Sequence, residues 1–150
     1  MFIEASILID APRGDVFDIL TEYGQPSRMR INPALKSQSV VESDGNVFVC
    51  DNEWERDGRR IRQRRRYVVN RPDRIEEEVI GADRGLVRVV TTLEPEGDQT
   101  RLTMVSEYRF GGIWALLGRI AEGQLRQSDE GLLETLKTNI EAEFEEVEEP

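Results

Sequence analysis

The chain has 150 residues, the usual length of one domain, and its 20 basic and 30 acidic side chains give it a net charge of −10 at pH 7. A field of that sign repels phosphate backbones and anionic membrane surfaces, so neither nucleic-acid binding nor stable membrane insertion is expected. The absence of histidine excludes histidine general bases, histidine metal ligands and Ser-His or Cys-His nucleophiles.

The first part of the chain predicts a strand followed by two short helices. Residues 2–9 alternate apolar and polar side chains, which is the period-2 pattern of a half-buried strand. Asp10 and Pro12 then predict a capping side chain and a first-turn proline for a helix. A second helical segment is expected at 26–31, stopped by Pro33 because the residue before a proline disfavours helix.

The middle of the chain predicts a meander of five to six strands. Turn residues such as Asp44-Gly45 and Asp57-Gly58 separate segments rich in alternating apolar side chains. The predicted strands cover about residues 37–42, 46–56, 59–69, 74–80, 86–94 and 100–110.

The last part of the chain predicts one long amphipathic helix after Gly111-Gly112. Its apolar residues recur at steps of three or four over roughly eight turns. The helix ends in a glutamate-rich segment, where the macrodipole disfavours negative charge. We therefore expect one domain at 1–146 and an acidic, frayed tail at 147–150.

Seven arginines lie between Arg56 and Arg66, and they admit two interpretations. One is a nucleic-acid or phosphate patch. The other is a solvated ion-pair ladder, because a two-residue hairpin loop at Asp57-Gly58 sets acidic residues of one strand opposite arginines of the next. We favour the ladder, since an acidic chain must overcome its own field to bind phosphate. The predicted pairs are Glu55 with Arg60, Glu53 with Arg62 and Asp51 with Arg64.

The same hairpin register places a mixed set of side chains on the opposite, inward face of the sheet. Guanidinium and amide groups among aromatic rings are too polar for a dry core, because buried unpaired polar groups are costly. Such a face suits the wall of a ligand cavity. The set comprises Phe48, Cys50, Asn52, Trp54, Ile61, Gln63, Arg65 and Tyr67.

On the next strand, apolar alternation favours an inward Glu77, which places it within reach of Arg65. The loop 70–73 does not fix this parity. Two alternatives stay open: a buried salt bridge with no ligand, or a register that leaves one of the two charges in solvent. For Trp54, Met104 and Trp114, plain core packing is the simpler interpretation of each residue taken singly.

Two segments carry a resemblance to a known family. Residues 7–20 fit I-x-I-x-A-P-x-x-x-V-F-x-x-L, and residues 93–103 fit L-x-P-E-G-x-x-T-R-L-T. Together with the long terminal helix, they resemble the START-like superfamily of polyketide cyclases, coenzyme-Q-binding proteins and the birch-pollen-allergen fold. The resemblance implies an α+β helix-grip fold: a curved antiparallel sheet of about six to seven strands wrapped around a long C-terminal helix, with two short helices after the first strand.

The resemblance also implies a hydrophobic cavity between the sheet and the last helix. It would hold a small hydrophobic molecule, such as a lipid, a quinone, or an aromatic or polyketide-like compound. The residues expected to bind it are Phe48, Asn52, Trp54, Gln63, Arg65, Tyr67, Glu77, Thr91, Met104, Tyr108, Trp114, Leu117 and Ala121.

Three functions fit this sequence, and the favoured one is non-catalytic binding or transport of such a ligand. The second is a cyclase or dehydratase in which Glu77 acts as acid or base and Arg65 stabilises an enolate. The third is a protein-interaction module that uses the arginine and glutamate stripes.

The cellular setting is also a set of expectations. Cys50 is the only cysteine, and the N-terminus has neither a basic leader nor an apolar run long enough for export. We therefore expect a reduced, cytoplasmic protein, a monomer or homodimer, with no metal and no cofactor.

Overall fold

A seven-stranded antiparallel sheet and a long C-terminal helix dominate the computed structural model, which describes residues 1–148. The side chains of Trp114 and of residues 146–148 lie outside the description. The sheet order is β1-β7-β6-β5-β4-β3-β2, so the two short helices between β1 and β2 connect opposite edges of the sheet. This is the predicted helix-grip fold. The elements are β1 (Phe2–Ile9), α1 (Arg13–Leu20), α2 (Pro26–Ile31), β2 (Leu35–Asp44), β3 (Val47–Arg56), β4 (Arg59–Asn70), β5 (Arg74–Val79), β6 (Gly85–Glu96), β7 (Gln99–Arg109), α3 (Ile113–Leu116) and α4 (Gly118–Glu148).

The start of α1 differs from the prediction in its cap. Pro12 occupies the N-cap position with a φ of −63°, and no side chain caps the helix. The capping role predicted for Asp10 is therefore wrong. Its backbone N–H instead donates to Glu141 Oε2 of α4 at 2.8 Å, so this residue ties the β1–α1 connection to the long helix.

The predicted single helix after Gly112 is interrupted once. α3 ends at Leu116 and α4 begins at Gly118, and the Leu117 carbonyl accepts backbone hydrogen bonds from the first turn of α4. All side chains of the predicted tail at 147–150 lie outside the description, and its backbone is described only to 148, so the fraying of this tail stays a prediction. No helix in the described part of the chain is long and apolar enough to cross a membrane.

The two halves of α4 are buried to different extents. The C-terminal half packs on β1 and α2, and it buries Leu133, Leu136 and Ile140 in the main core. Among the described side chains from 113 to 128, by contrast, none is buried. The helix is therefore anchored at one end of the sheet, while the other half leaves the facing strands less covered.

Candidate ligand-binding site

The β3–β4 hairpin has the predicted register. Asp57 and Gly58 form the two-residue loop with φ values of 53° and 76°, the left-handed conformation that such loops require. Cys50 pairs with Arg65, and Asn52 pairs with Gln63. The predicted inward set therefore shares one face of the sheet.

The outer face of this hairpin carries the predicted ion-pair ladder. Arg64 Nε lies 2.7 Å from Asp51 Oδ1, Arg60 lies 3.4 Å from Glu55, and Arg62 lies 3.9 Å from Glu53. Arg60 also lies 2.8 Å from Glu53. The hydrogen bond from Arg64 lowers the pKa of the Asp51 carboxyl. These arginines are engaged with acidic neighbours, as the ladder interpretation predicts, and they do not form an isolated basic patch.

Strand β5 settles the side on which Glu77 lies. Glu77 pairs with Tyr67 and Val79 pairs with Arg65, which places Glu77 on the inward face. Arg65 Nη1 donates to Glu77 Oε1 at 2.5 Å, and the two side chains retain 10% and 18% of their exposure. The alternative in which one of these charges lies in solvent is therefore wrong.

Arg65 is held on three sides. Its Nε and Nη2 donate to Gln63 Oε1 at 3.0 and 2.6 Å, and its guanidinium lies 4.5 Å from the centroid of the Trp54 ring. A guanidinium engaged by a carboxylate, an amide and an aromatic face needs no ligand to compensate its burial. This cluster gives the inward face a fixed polar centre.

A chain of hydrogen-bonded side chains lies beside the Arg65 cluster, and one of its members, Gln38, was not predicted. Gln38 Nε2 donates to Asn52 Oδ1 at 3.0 Å, and Asn52 Nδ2 donates to the Tyr67 hydroxyl at 2.8 Å. Gln38 also accepts from the backbone N–H of Gly24 at 2.9 Å, which links the sheet to the segment after α1. Burial raises the pKa of the Tyr67 hydroxyl, so this group stays protonated at neutral pH.

Tyr23 is a further residue that sequence reasoning missed. Its ring centroid lies 4.4 Å from that of Tyr67 and 5.3 Å from that of Phe48, and the three tilted rings form an aromatic cluster on the inward side of the sheet. Its hydroxyl is buried without a hydrogen-bond partner in the described part of the chain. The only sequence signal was its place at the end of the apolar stripe of α1.

Asp129 links α4 to the inward face of the sheet. The Tyr108 hydroxyl donates to Asp129 Oδ1 at 2.9 Å, and Asp129 is only 5% exposed. Burial raises the pKa of this carboxyl, although the hydrogen bond from Tyr108 opposes that shift. The sequence did not single out Asp129, because steps of three or four along the helix also lead to Ser128, which the structure leaves exposed.

The remaining predicted residues are spread over the inward face and α4. Thr91 pairs with Met104, which is buried in the core, while Thr91 itself is half-buried. Ala121 is half-buried in the less covered half of α4, and Leu117 is 42% exposed. The side chain of Trp114 lies outside the described part. The structure therefore clusters the predicted residues of β3 to β5, whereas a role for Trp114, Leu117 and Ala121 stays a prediction.

Besides the Tyr23 hydroxyl and Arg28 Nε, two more buried polar atoms have no partner among the described residues: Trp54 Nε1 and Asp129 Oδ2. The first is a donor on the inward face of β3, and the second is an acceptor on the helix that faces the sheet. Buried polar atoms are nearly always hydrogen-bonded in folded proteins. The inward side therefore offers both a free donor and a free acceptor.

Solved structures of other proteins share this fold. A structure of TTHA0849 from Thermus thermophilus superposes with a TM-score of 0.72 at 19% identity, covering 95% of this chain and 98% of that one. The aromatase/cyclase Zhui from a Streptomyces species gives a TM-score of 0.67 at 15% identity, covering 97% and 93%. A START superfamily protein from Mycobacterium smegmatis gives 0.67 at 14% identity, covering 97% and 98%. At these identities the likeness shows the fold alone.

The sequence comparison identifies the family. No curated protein sequence matches the chain. The profile of a family described as "Polyketide cyclase / dehydrase and lipid transport" matches residues 3–141, most of the chain's length. The chain therefore belongs to the polyketide cyclase/dehydrase and lipid transport family.

Proposed function

We propose that this protein binds a small, largely hydrophobic molecule of lipid, quinone, aromatic or polyketide-like character between the inward face of the sheet and α4. The observation that carries the proposal is that inward-facing side chains of β3 to β6 remain partly exposed, while α4 packs mainly on β1 and α2. Phe48, Trp54, Gln63, Glu77 and Thr91 are all in this half-buried state. A sheet face packed fully against its helix would bury them.

The chemistry of this face supports an amphiphilic ligand more than a purely apolar one. The rings of Phe48 and Trp54 offer apolar contact area. The unpartnered Trp54 indole N–H is free to donate to a carbonyl or hydroxyl oxygen, and Asp129 Oδ2 is free to accept from a hydroxyl. Ligand sites commonly combine a mostly apolar lining with a few such polar groups, which fix the orientation of the ligand.

A pair of threonine variants on β6 tests the proposal. Thr91 faces inward opposite Met104, while Thr92 faces outward opposite Thr103. Thr91→Trp fills the proposed space and is expected to lower affinity about tenfold or more, whereas Thr92→Trp leaves it unchanged. The measurement is native mass spectrometry with a panel containing a fatty acid, a short-chain quinone and an aromatic polyketide.

Binding of no panel member by the wild-type protein would contradict the proposal. Equal loss of binding in Thr91→Trp and Thr92→Trp would also contradict it, because such a loss would not depend on the inward face. Thermal unfolding followed by circular dichroism shows that each variant is folded before its binding is compared.

The Arg65–Glu77 pair supports a second candidate, a cyclase or dehydratase activity, which the family description also includes. In such a reaction a Glu77 oxygen takes a proton from a carbon next to a carbonyl. The electron pair of that C–H bond forms a C=C bond, and the π pair of the carbonyl moves onto its oxygen. Arg65 then stabilises the resulting enolate. Glu77→Gln is expected to abolish turnover of a poly-β-ketone substrate while ligand binding persists. Wild-type protein that binds such a substrate without converting it would leave binding as the function.

A further inference from the structure

An exposed apolar stripe runs along α3 into the first turn of α4. Ile113, Leu116, Leu117 and Ile120 recur at i, i+3, i+4 and i+7 across the junction of α3 and α4. They are 68%, 85%, 42% and 66% exposed. Single exposed apolar residues are ordinary, but a continuous row of large ones marks an interaction surface. We call these four residues the α3 stripe.

The charges around the α3 stripe are unlike those of the rest of the chain. From 108 to 121 the sequence contains Arg109 and Arg119 and no acidic residue, although the whole chain carries a net charge of −10. Neither Arg84 nor Arg119 makes an ion pair with any residue that the structure describes, whereas Arg109 pairs with Glu107 at 3.1 Å. Two uncompensated cations therefore lie near the most exposed apolar side chains of an acidic protein.

A cleft of about 530 Å³ opens beside the α3 stripe. Met1, Phe110 and Ala115 supply apolar parts of its lining. Its charged parts are Arg84, Arg109 and Asp83, so cationic groups outnumber the acidic one. A cleft with apolar walls and cationic groups matches a molecule that has a hydrocarbon part and an anionic head. Anionic phospholipids present that combination at a bilayer surface.

We propose that this end of the molecule docks reversibly on an anionic lipid bilayer. The α3 stripe would lie in the interface between headgroups and acyl chains, with Arg84 and Arg119 against anionic headgroups, as in other amphipathic interfacial helices. Charge complementarity favours a bilayer over a second copy of the chain. In a two-fold contact through the stripe, each of these arginines would approach the same arginine of the other copy, and the like charges would repel.

The overall negative charge does not prevent such docking. At physiological ionic strength the Debye length is about 8 Å, so acidic residues on distant surfaces are screened from the membrane. The repulsion expected from the net charge of −10 slows long-range approach, whereas contact depends on the residues at the docked end. Docking here concerns the surface of the bilayer only.

Vesicle co-sedimentation of the full-length protein tests the proposal. Wild-type protein is expected to sediment about tenfold more with vesicles of phosphatidylcholine and phosphatidylserine than with phosphatidylcholine alone, and less as salt rises. Leu116→Asp places a charge in the stripe at a site that is 85% exposed, so it is expected to reduce retention about tenfold without affecting folding. Val41→Asp, at an exposed apolar site on β2, is the matched control and should retain wild-type behaviour.

A charge reversal separates the cationic contribution from the apolar one. Arg119→Glu is expected to lower retention on phosphatidylserine vesicles, while Arg62→Glu, in the hairpin ladder, leaves it unchanged. Equal retention of wild-type protein and Leu116→Asp would overturn the proposal. So would a wild-type dimer in sedimentation velocity that Leu116→Asp converts to monomer while vesicles retain neither protein, since the stripe would then bind a second copy.

Docking and ligand binding are separable by experiment. Thr91→Trp is expected to keep wild-type vesicle retention, and Leu116→Asp is expected to keep ligand binding in solution. The failure of either proposal therefore leaves the other one standing.

Discussion

At the residue scale, two buried tyrosines on the inward face differ in what their hydroxyl groups do. The Tyr67 hydroxyl accepts a hydrogen bond from Asn52 Nδ2, whereas the Tyr23 hydroxyl has no partner among the described residues. Removing an acceptor from a buried donor costs more than removing a group that was already unsatisfied. Comparing variants of the two tyrosines therefore measures how much the hydrogen bond between Asn52 and Tyr67 contributes to stability.

Tyr67→Phe is expected to lower the free energy of unfolding by about 1–2 kcal/mol, because the buried Asn52 amide loses its acceptor. Tyr23→Phe is expected to leave the free energy of unfolding unchanged or to raise it. Urea denaturation of both variants and the wild-type protein gives the comparison. A larger loss in Tyr23→Phe than in Tyr67→Phe would contradict the assignment of partners.

Part of this site could be predicted from the sequence because the turn at Asp57-Gly58 fixes the register of the β3–β4 hairpin. Asp57-Gly58 admits a two-residue loop, and that loop determines every pairing of β3 with β4 by simple counting. The inward positions of Asn52 and Arg65 followed from it. Gln38 was not predictable in the same way, because register shifts on either side of it, between Leu35 and Ser37 and between Val40 and Glu42, break the count on β2.

At the element scale, α4 is one continuous helix with two different environments. Ile140 is fully buried against the core, while Ile120 is 66% exposed. Helical periodicity in the sequence treats both residues alike, since each lies on an apolar stripe. Periodicity locates the apolar face of a helix, but it does not say over what length that face meets the sheet.

Two isoleucine substitutions on this helix measure the difference. Ile140→Ala is expected to cost about 2–4 kcal/mol of unfolding free energy, because it leaves a cavity in a packed core. Ile120→Ala should change that quantity by no more than about 0.5 kcal/mol. Chemical denaturation of both variants tests this, and similar costs at the two sites would show that the first half of α4 is packed on the sheet in solution.

The phase of α4 also explains one site residue that the sequence did not yield. From Leu125, a step of three leads to Ser128 and a step of four leads to Asp129, and both steps are compatible with a helical face. The buried Leu133, Leu136 and Ile140 set the phase, and this phase turns Asp129 inward. Tertiary packing therefore determines that Asp129, and not Ser128, faces inward. The sequence pattern does not encode that packing.

At the scale of the whole molecule, exposed ion pairs and buried charged residues lie on opposite faces of the sheet. The ladder of β3 and β4 lies on the outer face, where solvent screens each pair. The few inward charges have specific partners: Arg65 with Glu77, and Asp129 with Tyr108. Asp129 is the inward charge whose hydrogen bond joins the sheet to the long helix, so its titration affects how firmly α4 is held.

Burial raises the pKa of Asp129 above that of an unfolded aspartate, which is about 3.9. Because the folded state then binds this proton more tightly, the contribution to stability is full below the unfolded pKa and is lost as pH rises through the folded pKa. Asp129→Asn keeps an acceptor for Tyr108 without the charge, so its stability relative to wild type is expected to rise with pH. Urea denaturation across pH 3.5 to 7.5 measures the difference.

Asp51→Asn is the control with the opposite sign, since Arg64 lowers the pKa of Asp51 and the variant should lose relative stability as pH rises. Parallel pH profiles for wild type and Asp129→Asn would show that the sheet–helix link is indifferent to this carboxyl.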